Sequence, residues 1–252
     1  MKRALAVYAI AVYAFLHIPL LVLGVFSFNQ SRFSLWTGFS LEWYRTILRD
    51  PVLGEAAWNS IVIALVSTIL ATIAGTGAAY AMWKRKSPLM MGAMYASLVT
   101  PEIVTGVSLL AFYQWLFRFV HLHLGLWTVI LAHVAFSIAF VVIVVSARLK
   151  NFDPALEEAA MDLGATEWVA FRRVTLPSIL PGVIAAALLA FTVSIDDYVI
   201  TSFVAGVDSQ TLPMVIYAMA RRGVDPAVNA ISTIIITGLG LLILLSERLQ
   251  KQ

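Results

Sequence analysis

The sequence predicts an all-α protein that crosses a lipid bilayer six times, and its composition is the first reason. Of its 252 residues, 61% are hydrophobic and 12% are charged, whereas soluble globular proteins have about 45–50% apolar and about 25% charged residues. A soluble fold of this length lacks the interior to hide so much apolar surface. The chain has no Cys, which excludes disulfides, thiolate metal sites and thiol catalysis.

Six apolar stretches supply the second reason, because each is long enough for a bilayer core that requires about 20 helical residues. They are predicted at 4–27, 57–83, 89–115, 126–147, 180–204 and 229–246. The first stretch is too long for the apolar part of a signal peptide, so we interpret it as a retained span. The predicted organisation is an N-terminal helix with an outer segment over 1–56, a transmembrane core over 57–246 and a tail over 247–252.

The distribution of Lys and Arg predicts the orientation, since these residues concentrate on the cytoplasmic side. If the N-terminus is cytoplasmic, eleven of the 17 basic residues lie inside and six lie outside. The short turn Lys84-Arg85-Lys86 is the strongest indication. Both termini are therefore expected in the cytoplasm. Membrane topology also explains the net charge of +3 better than a nucleic-acid partner does.

The loop 148–179 is the most charged part of the chain, with nine charged residues between two predicted spans. Asp153 is suited to cap a helix and Pro154 to occupy its first position. Gly164 is suited to the positive φ that often ends a helix. The pattern predicts a polar helix of about ten residues, about 15 Å long. A second short helix is predicted over 166–174, ended by Leu176-Pro177.

Three carboxylates fall inside predicted spans that contain no Lys or Arg: Glu102, Asp196 and Asp197. An acidic residue at membrane depth costs several kcal/mol unless it is paired or faces a polar cavity. Neighbouring helical residues point about 100° apart, so one aspartate is free to line a path while the other caps a helix, stays protonated or pairs with a partner chain. The acids are either structural, bonded to backbone or to a partner's Arg, or they bind a cationic substrate.

Part of the charged loop resembles a family signature. Glu158-Ala159-Ala160, then Gly164, then Val174-x-Leu176-Pro177 is similar to the "EAA" motif of permease subunits in ATP-binding-cassette importers, with Val174 in place of the usual isoleucine. The resemblance implies the fold of a type I importer permease, in which the short helix docks on a separate ATPase subunit. The residues that this implies for ATPase coupling are Glu157, Glu158, Ala159, Ala160, Asp162, Gly164 and Ala165.

The chain itself contains no G-x-x-x-x-G-K-[ST] phosphate-binding loop. We therefore expect no enzymatic activity and no cofactor in this chain, with ATP and Mg bound by a partner ATPase dimer. The resemblance implies two further partners: a second permease subunit, homologous but different, and an extracytoplasmic substrate-binding protein.

A second resemblance concerns the substrate. The segment from Ser194 to Val204, Leu212-Pro213 with Tyr217, and Gly223-Val224-Asp225-Pro226 are similar to the C-type permeases of spermidine/putrescine importers. A flexible polycation requires carboxylates for its ammonium groups and aromatic or apolar walls for its methylenes. The residues expected along the substrate path are Asp196, Asp197, Glu102, Tyr198, Tyr113 and Tyr217. The aromatic residues near span ends are also typical of the membrane interface.

Several alternatives remain open at this point. Related permeases for aminoethylphosphonate, opines, sulfate or iron share the EAA loop. An ion-driven carrier would use Glu102 and Asp196 as proton sites, and an intramembrane enzyme would require a catalytic set that is not apparent. The pair His121-x-His123 is a weak metal motif that we interpret as surface histidines, and His17 and His133 are expected to be hydrogen-bonded packing residues.

Overall fold

A computed structural model describes residues 2–32, 35–120, 122–223 and 226–250. His121, Val224, Asp225 and Lys251, which enter the predictions above, lie outside the described residues. The described chain is helical and contains a single isolated β-bridge, between Asn29 and Phe39. In chain order the helices are α1 (Lys2–Phe26), α2 (Glu42–Arg49), α3 (Pro51–Arg85), α4 (Pro88–Val99), α5 (Glu102–Leu116), α6 (Leu126–Leu149), α7 (Pro154–Asp162), α8 (Glu167–Ala170), α9 (Leu176–Asp196), α10 (Val199–Val204), α11 (Leu212–Arg221) and α12 (Pro226–Gln250), with a π-helical turn at Phe171–Thr175.

Four helical runs in the described part are long and apolar enough to cross a bilayer: Leu5–Phe26, Pro51–Arg85, Leu126–Leu149 and Glu167–Asp196. The bent pair α4–α5 adds a fifth if it forms one span. The sixth predicted stretch falls in α12, where Pro226–Gly238 is a shorter apolar helix. The all-helical, multi-span fold class is thus confirmed, and the count of six stays a prediction.

The third predicted stretch, 89–115, is broken in two. The chain bends by 105° between its two halves, α4 and α5. Thr100 is extended, with ψ 127°, because the ring of Pro101 disfavours a helical conformation in the residue before it. Glu102 consequently opens α5, where its negative charge interacts favourably with the helix dipole.

The fifth predicted stretch, 180–204, also differs from the structure. The helix ends at Asp196, and α10 follows after a two-residue break at Asp197 and Tyr198. The prediction that Leu176-Pro177 ends a short helix is wrong, because α8, the π-helical turn and α9 form one continuous helical run. A proline needs relief from the steric clash with the preceding turn, and the wider π-helical turn, Phe171–Thr175, ends two residues before Pro177.

Contacts divide the chain into two units, and the first consists of Met1–Glu55 and Val215–Gln252. Within it, α1 and α2 pack on α12. The segment between α1 and α2 is fixed by buried Trp43, whose indole N–H donates to the Asn29 carbonyl at 2.8 Å. The Ser27 and Tyr44 hydroxyls bond to each other at 2.6 Å. Apolar side chains along α1 remain exposed, as expected for a helix whose environment is lipid or another membrane chain.

The second unit, Ala56–Met214, holds two apolar clusters. One lies where α3, α6 and α9 meet and includes Ala79, Val142 and Ala186. The other joins α6 to α5 and α10 and includes Ile130 and Ile200. The α5–α10 contact is close: a Cβ on Gly106 would lie 2.5 Å from the ring of Phe203. A glycine is therefore required where α5 packs on α10.

Candidate functional site

The helix predicted in the charged loop is α7, and its ends are the expected ones. The Asp153 carboxylate accepts a hydrogen bond from the backbone N–H of Ala155 at 3.0 Å. Pro154 occupies the first turn, where its missing donor costs nothing. Gly164 has φ +92°, a conformation that residues with a Cβ rarely adopt. The prediction of a short capped helix is confirmed.

Most of α7 and its C-terminal turn is available at the surface. Glu158, Ala159, Asp162 and Gly164 are exposed, and Ala160 and Ala165 are half-buried. Leu163 is 90% exposed. Its apolar side chain therefore gains almost no stabilisation from burial within this chain. The outward face of α7 thus combines small residues, two acids and an unshielded leucine.

Glu157 points in the opposite direction. Its side chain is 1% exposed and contacts two other parts of the chain. The Tyr80 hydroxyl donates to its Oε1, the Lys84 ammonium lies 3.0 Å from the same oxygen, and the Thr175 hydroxyl donates to Oε2 at 3.0 Å. Burial alone would raise the pKa of Glu157, but the hydrogen bonds from Tyr80, Lys84 and Thr175 and the charge of Lys84 outweigh it and lower the pKa.

A second feature is a cavity of about 280 Å³ in the unit formed by Ala56–Met214. It lies where the break between α4 and α5 meets the break between α9 and α10. Its lining residues are Ser97, Leu98, Thr100, Glu102, Thr105, Phe136, Phe140, Val193, Asp196, Asp197, Tyr198, Val199 and Ile200. Three carboxylates thus face one cavity that also has hydroxyls and two phenylalanine rings, and its lining contains no Lys or Arg.

The two aspartates have different environments. Asp196 is exposed, whereas the side chain of Asp197 is 6% exposed. Asp197 Oδ2 accepts hydrogen bonds from the backbone N–H of Thr201 at 2.8 Å and from its hydroxyl at 2.7 Å. Asp197 therefore caps the start of α10, and Asp196 is left open to the cavity together with Glu102.

A buried hydrogen-bond chain supports Asp197 from behind. Ser67 Oγ lies 3.0 Å from Ser194 Oγ, which lies 2.7 Å from His133 Nδ1. His133 Nε2 lies 2.9 Å from Thr201 Oγ1 and 3.5 Å from Asp197 Oδ2. Because the Thr201 hydroxyl donates its single proton to Asp197, its oxygen accepts from Nε2–H of His133. The chain of bonds joins α3, α6, α9 and α10 at the floor of the cavity.

His133 is a hydrogen-bonded packing residue, as predicted, whereas His17 is hydrogen-bonded but exposed, so its predicted packing role is wrong. His133 is buried with partners on both ring nitrogens, and His17 Nδ1 donates to the Tyr13 carbonyl at 2.8 Å. The specific role of His133 beside Asp197 could not be read from the sequence, because 64 residues separate the two along the chain.

The three predicted tyrosines lie in different places. Tyr198 lines the cavity. Tyr113 is buried in the core and its hydroxyl donates to the Thr128 carbonyl at 3.0 Å. Tyr217 is in the other unit, with the Arg221 guanidinium 5.0 Å from its ring centroid. The sequence analysis missed Phe136 and Phe140, although their i, i+4 spacing places both on one face of α6.

Comparison with known families gives a direct assignment. Residues 70–252 match the family described as "Binding-protein-dependent transport system inner membrane component". The spermidine/putrescine transport system permease protein PotC of Escherichia coli K12 is 40% identical over 243 residues, which cover 95% of this chain and 90% of that protein. The putrescine transport system permease protein PotI of the same organism is 41% identical, covering 91% of this chain and 84% of its own.

Solved structures support the same fold. A chain of a bacterial ABC transporter that imports the acidic polysaccharide alginate aligns with a TM-score of 0.78 at 16% identity, covering 99% of this chain and 96% of that one. A chain of the MetNI methionine ABC transporter aligns with a TM-score of 0.62 at 19% identity, covering 78% and 93%. The chain therefore belongs to the family of binding-protein-dependent transport system inner membrane components, and it is a multi-pass permease.

Proposed function

We propose that this chain is the membrane-spanning permease subunit of an ATP-driven importer of polyamines. The observation that carries the proposal is the cavity in which Glu102, Asp196 and Asp197 meet without a cation among the lining residues. Uncompensated acids at membrane depth are costly, so they are best explained by a cationic substrate that neutralises them. The relatives named for spermidine and putrescine support this substrate class.

The cavity assigns different roles to its acids. Asp196 and Glu102 are exposed and would accept the ammonium groups of the substrate. Asp197 is committed to Thr201 and His133 and would fix the break that holds the site open. Phe136, Phe140 and Tyr198 would contact the methylene chain, and their ring faces attract cations. Because the cation must also leave, binding inside this cavity would be weak.

The outward face of α7 supports the second half of the proposal. Its exposed acids, its small residues and Leu163 would dock in a groove of a cytoplasmic ATPase, so α7 would act as the coupling helix. The functional assembly would contain an ATPase dimer that binds ATP and Mg, a second permease and an extracytoplasmic binding protein. A topology of six spans with both termini in the cytoplasm would place α7 on the side of the ATPase, and it agrees with the distribution of Lys and Arg.

The test uses the complete transporter in proteoliposomes with ATP, and labelled putrescine and spermidine as probes. Asp196→Asn and Glu102→Gln should each lower uptake about tenfold or more, the effect of losing one charged hydrogen bond. ATP hydrolysis in the absence of substrate should be unchanged. Asp208→Asn is the matched control, because Asp208 is exposed and does not line the cavity.

Two results would overturn the proposal. One is an unmodified transporter that hydrolyses ATP but takes up neither polyamine. The other is normal uptake in both cavity variants, which would make these acids structural.

A further inference from the structure

Two adjacent glutamates in α7 lie on different faces of the helix. Glu158 is exposed, whereas Glu157 is 1% exposed. Successive helical side chains point about 100° apart, so a single helix can present one acid to a partner and the other to its own protein. Glu157 is therefore not available to an ATPase, and its buried contacts require a separate explanation.

The contacts of Glu157 reach two long helices. Tyr80 and Lys84 belong to the last turns of α3, and Thr175 directly precedes α9. All the partners act on one carboxylate, and both of its oxygens are used. A short stretch of chain connects α7 to α9. No such short stretch connects α7 to α3, so the contacts of the Glu157 carboxylate are important for that connection.

The partners are themselves held in place. The Tyr80 ring packs on Phe171, with centroids 4.5 Å apart. The Lys84 ammonium lies 5.5 Å from the Trp83 ring and 5.8 Å from the Tyr80 ring. The two rings attract the ammonium and favour its position beside Glu157, and the Lys84 side chain is 33% exposed. The cluster of Tyr80, Lys84, Glu157 and Thr175 is named here the anchor cluster.

We propose that Glu157 is a positioning residue that joins α7 to the cytoplasmic end of α3 as well as to α9, so that both helices move with α7 during transport. The inference rests on the proposed function of α7 as the coupling helix. A buried carboxylate with three partners is a short and stiff connection, and removal of Lys84 would leave its charge buried without a counter-ion. The anchor cluster would thus transmit force to a helix that the loop containing α7 does not adjoin along the chain.

The first test compares variants in the reconstituted transporter with ATPase, second permease and binding protein. Glu157→Gln keeps one acceptor oxygen, for either the Tyr80 or the Thr175 hydroxyl, and removes the charge opposite Lys84. We expect hydrolysis of ATP to persist while polyamine transported per ATP hydrolysed falls about tenfold, as for one lost charged hydrogen bond. Glu55→Gln is the control, since Glu55 is an exposed glutamate at the opposite end of α3.

The second test replaces the ion pair by a covalent link. The chain has no Cys, so Lys84→Cys with Glu157→Cys introduces the sole thiol pair. The double variant should be uncoupled, and a short bifunctional thiol reagent should restore transport per ATP towards the unmodified ratio. The same reagent should have no effect on either single cysteine variant.

The outcomes separate the two proposals. If cross-linking leaves the double variant uncoupled or stops its residual transport, α3 and α7 do not move as one body and the anchor role is rejected. Normal coupling in Glu157→Gln rejects it too. If instead the unmodified chain neither retains an ATPase nor transports polyamine, the proposed function itself fails.

Discussion

At the scale of single residues, two pairs of sequence-adjacent acids follow the same pattern of burial. In the pair Glu157–Glu158, Glu157 is buried and bonded within the chain and Glu158 is exposed. In the pair Asp196–Asp197, the side chain of Asp197 is buried and bonded and Asp196 is exposed. A buried carboxylate is stable only when its oxygens are satisfied, and both buried acids have hydroxyl donors and a basic side chain beside them. The exposed members are therefore the ones available to a partner or a substrate.

His133 should be essential to the cavity although it does not line it. His133→Ala removes one hydrogen-bond partner from Ser194 and one from Thr201, and hydrogen-bonding capacity left unsatisfied at a buried polar group costs about 1–3 kcal/mol. Thermal unfolding in detergent should show this loss, and uptake should fall because Asp197 is no longer fixed. His17→Ala is the matched control and should change stability by less than about 0.5 kcal/mol, since His17 is exposed. Equal stability in the two variants would contradict the role of His133.

The contribution of Glu157 to stability should depend on pH. The pKa of Glu157 is lowered in the folded protein, so the ionised form is favoured by folding. Its contribution is complete above the ordinary glutamate pKa and is lost as the pH falls through the lowered folded pKa. The melting temperature of the unmodified protein should therefore exceed that of Glu157→Gln at neutral pH and approach it in acid. A difference that stays constant with pH would argue against this linkage.

At the scale of elements, breaks rather than regular helices make the cavity. Pro101 prevents α4 from continuing into α5, and Asp197 opens a gap between α9 and α10. The first break follows from a local steric rule that the sequence displays. The second depends on bonds from Asp197 to Thr201 and His133, so the predicted stretch 180–204 gave no indication of it.

The C-terminal turn of α7 provides a test at this scale. Gly164→Ala places a Cβ at φ +92°, which costs about 1–2 kcal/mol in the left-handed region. We expect a lower melting temperature and weaker coupling of transport to ATP hydrolysis. Gly92→Ala should leave both unchanged or slightly improved, because Gly92 lies inside α4 with open space around its Cα. A similar response in both variants would show that the Gly164 conformation is unimportant.

At the scale of the whole molecule, the predicted orientation can be measured directly because the chain has no Cys. In intact cells, a membrane-impermeant maleimide should label Asp208→Cys but not Lys150→Cys. In inside-out vesicles the labelling should reverse. Both positions are exposed in the structure, so membrane sidedness alone decides the result. Labelling of Lys150→Cys from outside would invert the topology and place α7 away from any cytoplasmic ATPase.

The sequence by itself determined the properties that depend on neighbours along the chain. The apolar stretches, the capped helix α7 and the break at Pro101 all follow from composition and from steric rules over a few residues. Only the tertiary structure decided which member of each acid pair is buried, that Glu102 shares a cavity with Asp196, and that Glu157 reaches Lys84. Glu102 and Asp196 are 94 positions apart and Lys84 and Glu157 are 73 apart. The geometry of such contacts depends on how whole helices pack, which no local pattern specifies.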